Sequence, residues 1–410
     1  MPNRKSLIRS ATAVAGAGAI ATALAVSFAG PAQAAVAWPA HVFAPYVDTG
    51  LSNTTLTTVA ADYGTKYFTL AFVDGAGCQW SLPNQSGWQS QISSLQAEGG
   101  DVSISFGGYT VDTDSDDLGA ACSSASAMAT QVESVVTTLG VTHLDFDIES
   151  NELTNSADYT LTAQALAQVR SWGNANGKSL SIAYTIPVLP TGFTSEGISV
   201  LDAAASAGFT PNIVNIMTMD YGTSGTEMGT AADQAVAASA GQVASVFGVS
   251  SSAAYAMLGN TPMIGQNDSS GEIFSLADAS TVESYAAQQG LALVSFWSEG
   301  RDNGGCPGQT SASSTCSGVS QSTGQFTQIF QAFTSGTTST GSSSPTPTAT
   351  ASSSPTGGSG GTCAAAWSSS TAYTSGNEVS YGGDDWTANQ WNYDEVPGGA
   401  SGAWNSDGAC

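Results

Sequence analysis

The sequence predicts an α/β protein whose main domain is a (β/α)8 barrel. Eight strand-like segments alternate with helix-like segments over roughly 300 residues, and this alternation is typical of a closed parallel sheet surrounded by helices. Polar residues follow the strand ends, where a barrel of this kind carries its active site. In the most informative segment, residues 143–150, three carboxylates alternate with apolar side chains.

Strands are predicted where apolar residues alternate or form short runs, and helices where they recur every three or four positions. The predicted strands are 42–48, 66–73, 102–106, 143–150, 179–187, 213–221, 254–264 and 291–297. The predicted helices are 88–96, 125–138, 158–172, 200–207, 231–247, 282–289 and 326–333.

The acidic strand places Asp145, Asp147 and Glu149 on one face, because successive side chains of a strand point to opposite faces. Its other face is apolar and favours burial. Inside a closed barrel, the three carboxylates would therefore share an enclosed polar site. Since like charges at this spacing cannot all ionise easily, at least one pKa is expected to rise toward neutrality, as a general acid requires.

A secretory signal peptide is expected over residues 1–34. Three basic residues precede an apolar run over residues 11–29, and an Ala-x-Ala pattern ends at Ala34. No later stretch is long enough to cross a bilayer. We therefore expect a secreted, extracellular protein.

Beyond this leader the chain is strongly acidic. Three of its 7 Lys and Arg lie in the leader, so four basic residues remain against 32 acidic ones, a net charge of −28. Such a surface repels phosphate backbones and anionic lipids. We expect neither nucleic acid nor a membrane as a partner, and we expect a monomer.

The six cysteines predict disulfide bonds in an exported chain, and the sequence leaves 15 connectivities open. The pairing we favour is Cys306–Cys316 for a local loop, Cys363–Cys410 across the C-terminal segment and, by elimination, Cys78–Cys122. The chain has only two histidines and no Cys-x-x-Cys pair. A zinc site is therefore not expected.

The run from Asp112 to Asp117 imitates the start of a calcium-binding loop. It lacks the glycine at its sixth position, which is Asp117, and the glutamate at its twelfth, which is Ser123. We interpret the run as a solvated acidic loop, and we expect neither a metal nor a cofactor.

Composition divides the chain after the barrel domain, which we place at residues 35–333. Residues 334–362 are dominated by Ser, Thr, Gly and Pro and predict an extended linker. Residues 363–410 predict a small all-β module with more aromatic side chains than its core can bury. Exposed rings of this kind bind the flat faces of sugars.

Residues 142–149 resemble the Asp-x-x-Asp-x-Asp-x-Glu signature of glycoside hydrolase family 18, the chitinases, and the resemblance extends over residues 36–333. Residues 103–108 are similar to the family's Ser-x-Gly-Gly strand, residues 217–220 to its Met-x-Tyr-Asp strand, and Trp297 to the tryptophan beneath the reactive sugar. Residues 363–410 resemble the chitin-binding modules of carbohydrate-binding families 5 and 12. The candidate chitin-binding rings of this segment are Trp391, Tyr373 and Trp386.

The resemblance implies hydrolysis of β-1,4-linked N-acetylglucosamine with retained configuration. Glu149 would be the proton donor and then the base, Asp147 would hold the acetamido group, and Asp145 would share a proton with Asp147. The acetamido oxygen of the sugar would be the nucleophile, because family 18 is an exception to the two-carboxylate mechanism. The candidate substrate-binding residues are Met217, Asp220, Tyr221, Gln266 and Trp297.

Three departures from the family pattern are visible. Thr142 replaces the first aspartate of the signature, and Gln390 stands where the module usually has a second adjacent aromatic residue. Met219 replaces the tyrosine of the sixth strand, and methionine cannot donate a hydrogen bond. Tyr221 lies two residues later, on the same face by strand parity, so it is a candidate to replace that tyrosine, and the sequence leaves the question open.

Three functions are therefore open. The one we favour is a secreted chitinase acting on chitin and chitooligosaccharides. We expect endo action, because no long insertion precedes the eighth strand to build a tunnel wall. The alternatives are an endo-β-N-acetylglucosaminidase acting on N-glycans, which the chitin-binding module disfavours, and a non-catalytic chitin-binding lectin, which the presence of Glu149 disfavours.

Overall fold

The structure, a computed structural model, describes residues 36–51, 54–335, 363–368, 372–373, 377–388, 392–393, 396–399 and 404–409. The chain divides into two compact units between Gly341 and Ser342. This boundary falls within the predicted linker. The predicted signal peptide and linker residues 336–362 lie outside the described residues.

The first unit contains a parallel sheet with helices around it. Its strands, with a separate hairpin formed by β9 and β10, are β1 (Val42–Phe43), β2 (Tyr46–Asp48), β3 (Tyr67–Val73), β4 (Asp101–Gly107), β5 (His143–Asp147), β6 (Ser181–Pro187), β7 (Ile213–Met217), β8 (Leu258–Thr261), β9 (Gly265–Gln266), β10 (Ile273–Phe274) and β11 (Leu293–Val294). The order in the large sheet is β1-β11-β8-β7-β6-β5-β4-β3-β2. The prediction of a (β/α)8 barrel is confirmed.

The first predicted strand closes the barrel by pairing on both sides. It is interrupted at Pro45, which has no backbone N–H to donate. β1 pairs with β11, and β2 pairs with β3. The nine strand segments therefore occupy eight positions around a closed sheet, which leaves no open edge.

Twelve helices are described. They are α1 (Leu56–Tyr63), α2 (Gln85–Ala97), α3 (Tyr109–Asp114), α4 (Leu118–Ala121), α5 (Ala125–Leu139), α6 (Ser150–Thr154), α7 (Ser156–Ala175), α8 (Ser195–Ser206), α9 (Met228–Phe247), α10 (Ser251–Tyr255), α11 (Leu276–Gln289) and α12 (Gln325–Ser335). Several begin with a polar cap, as at Ser275, whose side chain accepts a hydrogen bond from the Asp278 N–H in a capping box.

The main core lies between the sheet and the helices. At the barrel seam, the ring of Phe330 in α12 lies 5.8 Å from both Phe43 of β1 and Phe296, which follows β11. All three rings are fully buried. The last helix of the unit therefore covers the junction of its first and last strands.

Several boundaries differ from the sequence prediction. The strand predicted over residues 213–221 ends at Met217, and Asp220, three residues later, adopts a left-handed backbone with φ of 51°. Residues 254–257 of the seventh predicted strand belong to α10 and the turn after it, so β8 begins only at Leu258. The acidic strand ends at Asp147, where residues 148–149 lead into α6.

Two predicted disulfides are confirmed. Cys78 is bonded to Cys122, and Cys306 to Cys316. The third predicted pair includes Cys410, which lies outside the described residues.

The second unit is small and made of β-strands. β12 (Ala372–Tyr373) pairs with β15 (Asn392–Tyr393), while β13 (Glu378–Tyr381), β14 (Asp384–Ala388) and β16 (Trp404–Ala409) form an antiparallel sheet. Its core contains Val379, Ala388 and Trp404. The expectation of a small all-β segment is confirmed. Among the described helices of the chain, none has the length and apolar character needed to cross a membrane.

Candidate active site

Asp145 is buried inside the barrel and accepts hydrogen bonds from three hydroxyl groups. Tyr46 and Ser105 each donate to Oδ2 at 2.7 Å, and Thr185 donates to Oδ1 at 2.7 Å. Burial raises the pKa of Asp145, while the three hydroxyl groups oppose that rise. Because hydrogen bonds from hydroxyls favour the charged form of a carboxyl, they partly offset the effect of burial on the pKa of Asp145.

A second layer orients these hydroxyl groups. The Asn215 amide donates to the Thr185 hydroxyl at 3.0 Å, and the Thr261 hydroxyl donates to Asn215 Oδ1 at 2.9 Å. The Asn215 amide therefore donates to a residue of β6 and accepts from a residue of β8, which fixes its orientation. The network extends from β2 to β8 and holds Asp145 in one orientation.

Asp147, two residues further along β5, has a different environment. Its side chain is buried, and its Oδ1 has no hydrogen-bond partner. Burial raises the pKa of Asp147 well above its ordinary value, and repulsion from Glu149 and Asp145 adds to the rise. Asp147 therefore favours its protonated form, and its free Oδ1 is available to a bound molecule.

Glu149 lies beyond the end of β5 and is half-buried. Its backbone is extended, with φ of −129° and ψ of −176°, so the parity of the strand continues to this residue. Its N–H donates to Asp112 Oδ2 at 2.7 Å, which fixes the start of α6. Burial raises the pKa of the Glu149 carboxyl to about 7, with a contribution from Asp220 and opposition from the Tyr109 backbone.

Two glycines allow β4 to end against β5. Gly107 has φ of 87°, and a Cβ there would meet the Asp147 carbonyl oxygen at 2.4 Å. Gly108 has φ of 86°, and a Cβ there would meet the ring of Phe72 at 2.7 Å. Any side chain would separate the strand ends that carry the site, which is the physical reason for the Gly-Gly pair.

The acidic side chains of Asp147 and Glu149 open into one cleft of about 810 Å³ at the carboxyl ends of the strands. Ligand sites commonly have volumes of about 300–1,000 Å³. Trp297 lines the cleft and is stacked on Phe72, with ring centroids 5.6 Å apart and an interplanar angle of 19°. A flat, braced indole face of this kind suits the apolar face of a sugar ring.

Three of the five predicted substrate-binding residues, Met217, Asp220 and Trp297, line the cleft. Gln266 does not line the cleft, because its buried amide donates to the Asn267 and Glu272 carbonyl oxygens, and its role in substrate binding stays a prediction.

Tyr221, the candidate replacement for the family tyrosine, packs partly buried against the main core. Its hydroxyl is buried without a hydrogen-bond partner. Burial raises the pKa of Tyr221, and repulsion from the Glu272 and Asp233 carboxylates adds to the rise. Met219 lines the cleft whereas Tyr221 does not. The positive φ of Asp220 breaks the strand parity on which the prediction depended.

Sequence reasoning missed Tyr46, Thr185 and Asn215. Tyr46 is the tyrosine that contacts an acid of the site, although it lies on β2, far from the acidic strand in sequence. The only signal was polar side chains within otherwise apolar strands. Their convergence on Asp145 depends on the register of neighbouring strands, which the sequence alone does not specify.

In the second unit, Trp386 packs partly buried against the small core, and its indole N–H donates to the Tyr381 carbonyl oxygen at 3.0 Å. Trp391 and the side chain of Tyr373 lie outside the described residues.

The expectation that residues 112–117 form a solvated loop is wrong for two of its acids. Asp112 and Asp117 are 0% and 3% exposed, whereas Asp114 is exposed. The short helices α3 and α4 turn these two side chains inward toward the end of β5.

Comparison with known proteins agrees with this geometry. The sequence profile of the family described as "Glycosyl hydrolases family 18" matches residues 41–269. A probable bifunctional chitinase/lysozyme of Escherichia coli (strain K12) is 36% identical over 320 residues, which cover 73% of this chain and 35% of that protein. Endochitinase 11 of Metarhizium anisopliae is 36% identical over 282 residues, covering 65% of this chain and 53% of that protein. The chain thus spans about a third and about half of the lengths of these relatives.

Among solved structures, active domain 2 of a chitinase from Pyrococcus furiosus is similar. It superposes with a TM-score of 0.66 at 29% identity, and the match covers 74% of this chain and 97% of that chain. With its barrel fold, its acidic β5 and a family profile that spans more than half of its length, the chain belongs to glycosyl hydrolases family 18.

Proposed function

We propose that the protein is a secreted, endo-acting chitinase that hydrolyses β-1,4-N-acetylglucosamine linkages with retention of configuration. The observation that carries the proposal is that Asp147 and Glu149 open into one cleft lined by Trp297. The names of the similar proteins agree with it, since both curated relatives and the similar solved structure are chitinases by name.

The proposed reaction begins with a proton transfer from Glu149 to the glycosidic oxygen, after which the bond between that oxygen and C1 breaks. The acetamido oxygen of the same sugar forms the new bond to C1, giving an oxazolinium ion. Asp147 contacts the acetamido N–H, and the Asp145 carboxylate compensates the positive charge that develops. Glu149 then takes a proton from water as that water attacks C1, and the bond between C1 and the acetamido oxygen breaks, which regenerates the acetamido group; two successive inversions retain the configuration.

The sequence and the fold support the remaining parts of the proposal. Secretion is supported by the leader over residues 1–34, and binding to solid chitin by the aromatic composition of residues 363–410. Endo action is supported by the segment between β8 and β11, which holds a short hairpin and α11 and adds no domain as a tunnel wall.

Replacing the proposed general acid tests the chemistry. Glu149→Gln keeps the size of the side chain but removes the transferable proton, so kcat on N-acetylglucosamine hexamer should fall about 10²–10⁴-fold. Product release should be followed by chromatography, with Asp114→Asn, an exposed acid in the same loop region, as the matched control. Near-wild-type turnover by Glu149→Gln would show that another residue donates the proton.

The same assay separates the competing functions. The wild-type protein should release oligomers from chitin and leave a high-mannose glycoprotein intact. Deglycosylation without chitin cleavage would favour the N-glycan enzyme, and binding without cleavage of either would favour the lectin.

The same Tyr→Phe substitution at two positions tests the role of the hydrogen bonds to Asp145. Tyr46→Phe removes a hydroxyl that donates to a buried carboxylate, and hydrogen bonds to charged groups contribute about 1.5–3 kcal/mol. We expect kcat to fall about 10-fold or more. Tyr221→Phe removes a hydroxyl without a partner, so kcat should stay within about 2-fold. The kcat values should be measured by steady-state kinetics at a temperature well below the Tm of both variants. A larger loss of kcat in Tyr221→Phe than in Tyr46→Phe would contradict the proposal.

Deleting residues 336–410 tests the proposed tether, because it leaves α12 complete. A flexible linker raises the local concentration of the catalytic unit at a surface. Activity on solid chitin should therefore fall about 10-fold, while activity on soluble hexamer should not change. Equal losses on the two substrates would exclude a tethering role.

A further inference from the structure

Behind Glu149 lies a second group of acids that the proposed reaction does not use. Asp112, Asp117 and Glu152, here called the acidic cluster, bring carboxylate oxygens within 4.8 Å of one another. All three side chains are buried, at 0%, 3% and 4% exposure. Two of them follow β4 and the third lies in α6, after β5.

Each acid uses one oxygen for a neighbouring donor. Asp112 Oδ2 accepts from the Glu149 N–H at 2.7 Å, Asp117 Oδ1 accepts from the Ala120 N–H at 2.7 Å, and Glu152 Oε1 accepts from the Thr162 hydroxyl at 2.7 Å. The other oxygens of Asp112 and Asp117 are buried with no hydrogen-bond partner.

Among the described residues, no contact between the cluster and a positively charged side chain is seen. Four Lys and Arg follow residue 35, and none of their described side-chain contacts reaches the cluster; Arg170 contacts Asn212, and Arg301 contacts the carbonyl oxygens of Ser313, Ile264 and Gln266. Buried carboxylates are ordinarily paired with a cation or bound to a metal, because burial without compensation is costly.

We propose that the acidic cluster binds one calcium ion. The donors are carboxylate oxygens, with no histidine or cysteine among them, which is the ligand set of a hard cation rather than of zinc or copper. The carboxylate oxygens all lie within 4.8 Å of one another, so a single ion could contact all three acids. Ca²⁺ accepts carboxylate oxygens in irregular geometry, whereas Mg²⁺ demands near-ideal octahedral geometry and usually keeps several waters, so we assign calcium.

A calcium ion here would have a structural role close to the active site. It would join the segment after β4 to α6, and Asp112 would connect it to the Glu149 backbone. Cys122, which follows α4, is bonded to Cys78, so the same segment has a covalent attachment as well. The ion would thus fix the residues around Glu149 without taking part in the chemistry.

Thermal unfolding and metal analysis of the full-length protein test the proposal. After treatment with EDTA and gel filtration, addition of CaCl₂ at about 100 times Kd should raise Tm by about 4 °C, and MgCl₂ should have a smaller effect. Elemental analysis of the reloaded protein should find about one calcium per chain.

Two variants locate the ion. Asp117→Asn should abolish the calcium-dependent rise in Tm, whereas Asp114→Asn, an exposed neighbour, should retain it. If Asp117→Asn fails to fold, the comparison of the wild-type Tm with and without calcium still tests whether the protein binds the ion. An unchanged wild-type Tm with no bound calcium would overturn the proposal and leave the cluster as a set of protonated acids, and an equal response of both variants would place the ion elsewhere. Neither result depends on activity toward chitin.

Discussion

The burial of the Asp145 carboxylate is the constraint on which the rest of the active site depends. No positive side chain of the described residues offsets it, and three hydroxyl groups from β2, β4 and β6 do so instead. These donors can meet only in a closed barrel, where the three strands face the same interior. Asp147, two residues later, lacks such donors. The difference between the two neighbouring acids follows from the strand register rather than from their chemistry.

The same constraint explains features of the sequence that look unrelated. Gly107 and Gly108 let β4 end directly against Asp147 and Phe72. The interruption at Pro45 lets one segment pair with both β11 and β3 and brings Tyr46 over Asp145. Phe72 and Tyr46 in turn flank Trp297, with centroids 5.6 and 6.0 Å from its ring. The cleft and the buried acid are therefore built by the same few residues.

Much of the fold was predictable because apolar residues recur with a period of two in the strands and of 3.6 in the helices. In the acidic strand, the alternation of carboxylates with apolar residues showed which face packs against the helices. The failures have local physical causes. Tyr221 was assigned by strand parity, but the left-handed backbone at Asp220 ends that parity. Tyr46 was missed because a contact between β2 and β5 depends on barrel closure. Asp112 and Asp117 were assigned to solvent because their burial depends on two short helices with no apolar periodicity.

The central claim is that the substrate's acetamido group, positioned by Asp147, serves as the nucleophile. It is tested most directly by ¹H NMR of the anomeric protons during the first minutes of hydrolysis of N-acetylglucosamine hexamer, before mutarotation. The account predicts that the newly formed reducing ends appear first as the β-anomer. Initial formation of the α-anomer would show a single inversion by water and would contradict the account.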